Sequence, residues 1–192
     1  MKKRKYRLKK RAAKRDRTRA RIVEATVALH QELGPKQTTI SAVAERAGVQ
    51  RLTVYRHFPT ERDLLAACSS SFITEHPPPD IGAIGTRGAQ ERTRAVLIAL
   101  YGYYRDTAEM WTSVYRDVDQ MEAVAEVMAG FEEYLENIRK DLLGEWAPRR
   151  SKRLRASLGH SLRFSTWQSL DAQGLGIREM AHLASDWVAA AA

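Results

Sequence analysis

Apolar residues recur along this chain at the three-to-four spacing of helices, and no stretch alternates as a half-buried strand would. Ile22, Thr26, Leu29 and Leu33 share one face of a first helix predicted over roughly Asp16–Leu33, which Gly34-Pro35 stops. Thr39 caps a second helix carrying Ile40, Val43, Ala44 and Ala47 at i, i+3, i+4 and i+7, and Gly48 breaks it. A short third helix covers about Arg51–His57. Thr60, after Pro59, caps a fourth with Leu64, Leu65, Cys68 and Phe72 as its stripe, and Asp63 completes a weaker form of the capping box.

The stretch His76–Gly88, with three consecutive prolines and three glycines, cannot continue a helix and marks a boundary. Beyond it a fifth helix is predicted over about Gln90–Arg105, apolar on nearly every side, and a short sixth over Thr107–Tyr115. A seventh, about Asp119–Leu143, repeats Met121, Val124, Met128, Phe131, Leu135, Ile138 and Leu142, with Gly144 and Pro148 ending it. An eighth covers roughly Ser151–Gln173. Gly174-Leu175-Gly176 joins it to a ninth over Ile177–Ala190, where Met180, Ala181, Ala184, Trp187 and Val188 share a face. The expectation is an all-α chain: a basic arm at 1–15, a small helical unit at 16–76 and a bundle at 77–192.

Charge sharpens this picture because it is uneven. Residues 1–21 hold 13 of the 32 Lys and Arg and one acid, whereas the remainder carries 19 basic and 22 acidic groups. A near-neutral body with a cationic tail attracts polyanions by releasing their condensed counterions. The bland counterpart is a solubilising terminus. No apolar run approaches the roughly 20 residues of a membrane span. One cysteine, Cys68, leaves no internal disulfide, and a cytoplasmic protein with no membrane association is expected.

Thr39–Phe58 concentrates the candidate chemistry. Two short helices meet at Gly48, which takes a positive φ without steric cost, and Ala44 lets them approach closely. With Val49 and Val54 plugging the angle, the third helix offers its remaining side chains to a partner. A major groove about 12 Å wide admits one helix. There Arg51 or Arg56 suits a bidentate pair with guanine, Thr53 a base or phosphate, and Leu52 a thymine methyl. The alternative is an ordinary αα-corner with solvated charges.

The segments TTISAVAERAGV and LTVYRHFPTERDLL resemble the tetracycline-repressor (TetR) family of bacterial regulators. The specific part is Tyr55, Phe58 and the charged run Glu61–Asp63 before Leu64, and the close likeness covers residues 18–66. The resemblance implies an N-terminal unit that binds operator DNA, dimerisation through the last two helices, and a small-molecule effector in the C-terminal core that releases the DNA. The candidate DNA-binding set is Thr39, Ser41, Arg51, Leu52, Thr53, Tyr55, Arg56 and His57. Gln50 and the pair Arg51-Leu52 depart from the family pattern, so the operator sequence does not carry over.

For an effector, the aromatic set Tyr101, Tyr104, Trp111, Tyr115, Phe131 and Trp167 reads either as core or as the lining of a pocket. No catalytic constellation emerges: His160 and Asp171 have no nucleophile elbow, and His182 with Glu179 and Asp186 lacks a further soft ligand. No metal or cofactor is expected. The basic run Arg149, Arg150, Lys152, Arg153 and Arg155 opens the eighth helix, where the dipole disfavours cations. The leading expectation is a homodimeric, ligand-responsive repressor. The alternatives are an effector-independent or chromosome-organising DNA-binding protein, and an enzyme with a helical core.

Overall fold

The computed structural model describes residues 2–85, 88–146 and 151–192. Its helices are α1 (Lys2–Glu32), α2 (Ile40–Arg46), α3 (Arg51–His57), α4 (Glu61–Glu75), α5 (Ala89–Asp106), α6 (Ala108–Asp117), α7 (Glu122–Glu145), α8 (Lys152–Ser161), α9 (Phe164–Asp171) and α10 (Ile177–Ala189). Strands are absent among the described residues. Two compact units emerge: Met1–Pro77 with Thr112–Met128, and Pro78–Trp111 with Ala129–Ala192. Pro148, Arg149 and Arg150, singled out above, lie outside the described residues.

In the first unit α1 begins fourteen residues before the expected start at Asp16. Lys, Arg and Ala are good helix formers and no Gly or Pro interrupts 2–15. The apolar stripe that located the helix simply begins later, at Ile22. Gly34, at φ 88°, turns the chain out of α1. Ile22, Leu29, Val43, Val54, Phe58, Leu64, Leu65 and Phe72 close the core. At its centre His30 is buried beside Cys68, with Nδ1 3.5 Å from Sγ. Burial holds the imidazole neutral and lowers its pKa to about 4, against a smaller opposing pull from Asp117.

The same unit takes in the end of α6, which the apolar pattern assigned to the C-terminal bundle. Arg116 donates through Nη2 to the Leu33 carbonyl (2.7 Å), and Ser113 Oγ donates to that of Gln31 (3.2 Å). The buried Asp117 carboxylate accepts the Lys36 backbone N–H at 3.0 Å. Burial alone would raise the pKa of Asp117, but the bonds from Arg116 and Lys36 outweigh it and the net shift is downward. These polar links fasten the corner between α1 and α2.

The second unit is built on α5, which lies along α10. Val96, Leu97, Leu100, Tyr101 and Tyr104 are wholly buried, as are Leu154 and Leu158 of α8 and Ala181 and Ala184 of α10. The single eighth helix expected over Ser151–Gln173 is broken in two at Leu162-Arg163. Tyr101 and Tyr104 donate their hydroxyls to the Ser161 and Leu162 carbonyls at 2.7 and 2.8 Å. Those carbonyls would otherwise accept from N–H groups four residues on. Arg163 turns extended (ψ 143°) and α9 restarts. No Gly or Pro stands at the break, so periodicity passed over it.

Two outcomes follow. Replacing Tyr101 and Tyr104 with Phe leaves two buried carbonyls without donors, and each change lowers stability by roughly 1–3 kcal/mol in urea unfolding. For His30 the folded pKa lies below the ordinary 6.5, so the unfolded chain binds the proton first. Its contribution is complete above pH 6.5 and is lost as pH falls towards 4, by about 3 kcal/mol. Melting temperature measured across that window should fall more gently for His30→Gln than for the wild type.

Candidate nucleic-acid interface

The helix-turn-helix is assembled from the inside. Thr39, exposed and extended, accepts the Ala42 N–H on its side-chain oxygen at 3.1 Å, so α2 starts from a satisfied cap. Val43, Ala44 and Ala47 are buried against α1 and α3. After Ala47 the chain turns through Gly48 at φ 61°, and the Val49 N–H bonds back to the Ala44 carbonyl at 2.9 Å. From α1, Arg21 closes this corner by donating to the Ala47 and Gly48 carbonyls. Arg46 pairs with Glu32 through two bonds of 2.5 and 2.7 Å and ties α2 to the end of α1.

α3 is seven residues long and anchored by Val54, fully buried, and by the buried Phe58 that caps its end. Gln50 precedes it without a side-chain capping bond, so the unusual residue there leaves its first turn uncapped. Outward, Arg51 and Arg56 are exposed, Leu52 is 74% exposed and Tyr55 44%. Thr53 and His57 are half-buried, and Arg56 reaches Thr53 Oγ1 at 3.5 Å. Six of the eight candidate DNA-binding residues therefore occupy one short helix, with Ser41 exposed on the first turn of α2 and Thr39 at its cap. Bare as it is, the Leu52 side chain is available to an apolar partner such as a base methyl.

The cationic contribution of α1 was legible as charge but not as position. Arg19 stands with its guanidinium 4.8 Å from the centre of the Phe58 ring. His57 has a lowered pKa, first through partial burial and then through the positive charges of Arg56, Arg15 and Arg19. Arg15 and Arg19, one helical turn apart, thus share the electrostatic surroundings of α3. Lys9, Lys10, Arg11 and Lys14 continue α1 in exposed positions. The spacing of Arg15, Arg19 and Arg21 on a helix that packs against α2 and α4 was the available signal.

In the second unit the aromatic set is tightly packed. Trp111 and Phe131 have ring centroids 4.2 Å apart, and Tyr104 meets Phe164 edge-on at 5.4 Å. Tyr101, Tyr104, Trp111, Phe131 and Trp167 are buried there, whereas Tyr115 is half-buried and belongs to the first unit. The Trp167 indole N–H is buried with no acceptor among the described residues. Of the groups discounted above, Glu179 accepts the Gly176 N–H at 2.8 Å and so caps α10. No cluster of three metal-ligating side chains occurs among the described residues, and no described helix is long and apolar enough to cross a membrane. Of the basic run, Lys152, Arg153 and Arg155 are exposed on α8.

Comparison with known proteins bears on the same segment. The family model of the bacterial regulatory proteins, tetR family, matches residues 22–68. An HTH-type transcriptional regulator of Mycobacterium tuberculosis (strain ATCC 25618 / H37Rv) is 36% identical over 58 residues, 30% of this chain and 31% of that protein. The HTH-type transcriptional regulator SrpR of Pseudomonas putida is 34% identical over 79 residues, 38% of this chain and 36% of its own. The matches thus span about a third of the length of these curated relatives. Among solved structures, a TetR-like transcriptional regulator from Rhodococcus sp. RHA1 superposes with a TM-score of 0.65 at 19% identity, covering 89% of this chain and 93% of that one. A tetR-family transcriptional regulator from Streptomyces coelicolor does so with a TM-score of 0.62 at 17% identity, covering 91% and 80%. The fold likeness runs nearly end to end, whereas the family model matches residues 22–68 alone.

Proposed function

We propose that this chain, whose residues 22–68 match the tetR-family model, is a DNA-binding transcriptional regulator acting as a homodimer on a near-palindromic operator. Residues 16–76 read the DNA, residues 1–15 add electrostatic affinity, and residues 77–192 dimerise and bind an effector. The reading rests on one observation above the rest. A short helix held by Val54 and Phe58 turns Arg51, Leu52, Tyr55 and Arg56 outward beside the cationic α1. Arg51 and Arg56 pair with base edges, Leu52 covers a thymine methyl, and Tyr55 and Thr53 reach phosphates. Two such helices, about 34–36 Å apart or a larger helical repeat, enter successive major grooves. The protein works in the cytoplasm, where its operator lies.

Dimerisation falls to α8, α9 and α10. Ala156, Ser157, His160 and Trp187 border a shallow, largely apolar hollow of about 500 Å³, and Leu183 and Trp187 stand exposed beside it. Small residues on α8 let a second copy approach closely. The effector site is assigned to the aromatic cluster of Tyr101, Tyr104, Trp111, Phe131 and Trp167, with Tyr115 as a further candidate. The acceptor-free indole of Trp167 favours a planar ligand carrying a hydrogen-bond acceptor. Repression, with release on ligand binding, is the mode this arrangement suits.

Selection of bound sites from random duplex DNA tests the proposal as a whole: a symmetric consensus sustains it, and unselective recovery would favour a chromosome-organising protein. Replacing Arg51, Thr53 and Tyr55 together by Ala should abolish specific binding while helicity is kept. Removing a base-reading side chain costs on the order of 1–3 kcal/mol. Deletion of residues 1–14 takes away nine Lys and Arg. The slope of log K against log[salt] should then flatten by about 0.9 for each phosphate that is no longer neutralised, with the consensus unchanged. Trp187→Asp places a charge in the dimer seam and should yield monomers in sedimentation. A dimer retained by that variant would place the interface elsewhere.

A further inference from the structure

The first unit holds a cavity of about 320 Å³ that adjoins the DNA-reading surface at Tyr55. Its walls include Thr26 and His30 of α1, Val43 of α2, Tyr55 of α3, Phe58 at the cap of α3 and Leu64 of α4. That volume lies at the lower end of the range for small-molecule sites. Polar and apolar groups share the lining about equally, and Thr26 and His30 are its most deeply buried polar residues. Its Nδ1 faces Cys68 Sγ at 3.5 Å, while its other ring nitrogen has no hydrogen-bond partner among the described residues.

Charge narrows the class of occupant. The imidazole is neutral because burial disfavours its cation, so the cavity offers no counter-charge to an anion. Glu61, on the rim, further disfavours anions. A strong cation meets no carboxylate deeper than the rim, so its desolvation there goes uncompensated. We propose that this cavity binds a small neutral aromatic molecule carrying one hydrogen-bonding group, of the size of 1-naphthol. His30 is its polar contact, and α3 senses its presence. The sensing half rests on the operator reading above. Tyr55 and Phe58 form part of the cavity wall, the first on the same short helix as Arg51 and Arg56 and the second at its cap, so an occupant bears directly on the DNA-reading surface without passing through the second unit.

The test titrates the full chain with 1-naphthol and, in parallel, with naphthalene, reading amide shifts in ¹H–¹⁵N spectra. Saturable shifts centred on residues 26–30, 43 and 55–58 are expected. Ile40→Trp, a half-buried position on the rim, should fill the space and abolish the shifts while melting temperature and operator affinity hold. His30→Phe should weaken 1-naphthol about three- to ten-fold and leave naphthalene unaffected, as loss of one hydrogen bond requires. Shifts that never saturate, that centre on α5 and α7–α10, or that survive Ile40→Trp would overturn the site. With the site filled, affinity for the selected operator should change by about five-fold or more. An unchanged operator affinity would overturn the sensing role. If no operator can be selected at all, the regulatory reading fails by itself while the spectra still decide whether the site exists.

Discussion

A helix of seven residues has no stability of its own in water, where about 12–15 residues are marginal even for good helix formers. α3 therefore exists only because Val54 and Phe58 are buried, each such burial contributing roughly 1.5–3 kcal/mol. The corner before it must also be closed, by the positive φ of Gly48 and the reach of Arg21 to two turn carbonyls. Every outward side chain on α3 takes its direction from those inward ones. Affinity for a partner and integrity of the small core are thus properties of one helix, divided between its two faces.

The second unit solves a different problem. Its long axis is α5, whose tyrosines resemble, by composition alone, the lining of a ligand site. Two of them also hold open a break in the chain between α8 and α9, accepting the cost of burying a phenol in return for two satisfied carbonyls. Trp167, on the far side of that break, is the member of the cluster whose polar atom has no such use among the described residues. Aromatic residues in one core thus differ in what their polar tips do, and the difference separates those that support the fold from those left for chemistry.

What the sequence disclosed and what it hid divide along physical lines. Caps, glycine corners and apolar stripes are local, and Thr39, Gly48, Thr60 with Asp63 and the core faces of α2 to α4 were all readable from spacing. So was the exposed face of α3, since whatever does not plug the corner must point outward. The extension of α1 through Lys2–Asp16 escaped because a helix without an apolar face leaves no period. The break at Leu162-Arg163 escaped because its cause lies some sixty residues away in α5. The grouping of Thr112–Met128 with the first unit escaped for a like reason: it depends on polar bonds to backbone atoms, which carry no sequence signature.

That last grouping bears on how chains of this fold exchange parts. The proline-rich joint at 76–88 looks like the natural cut for grafting one N-terminal unit onto another C-terminal one. A graft made there would leave behind Arg116 and Asp117, and with them the partners of the Leu33 carbonyl and the Lys36 amide. Residue 34 would remain committed to glycine by its backbone, while the guanidinium that a side chain there would overlap had gone. Recombination that keeps the first unit intact must therefore carry two separate stretches of chain, and lineages that shuffle these units should have inherited the second stretch together with the first.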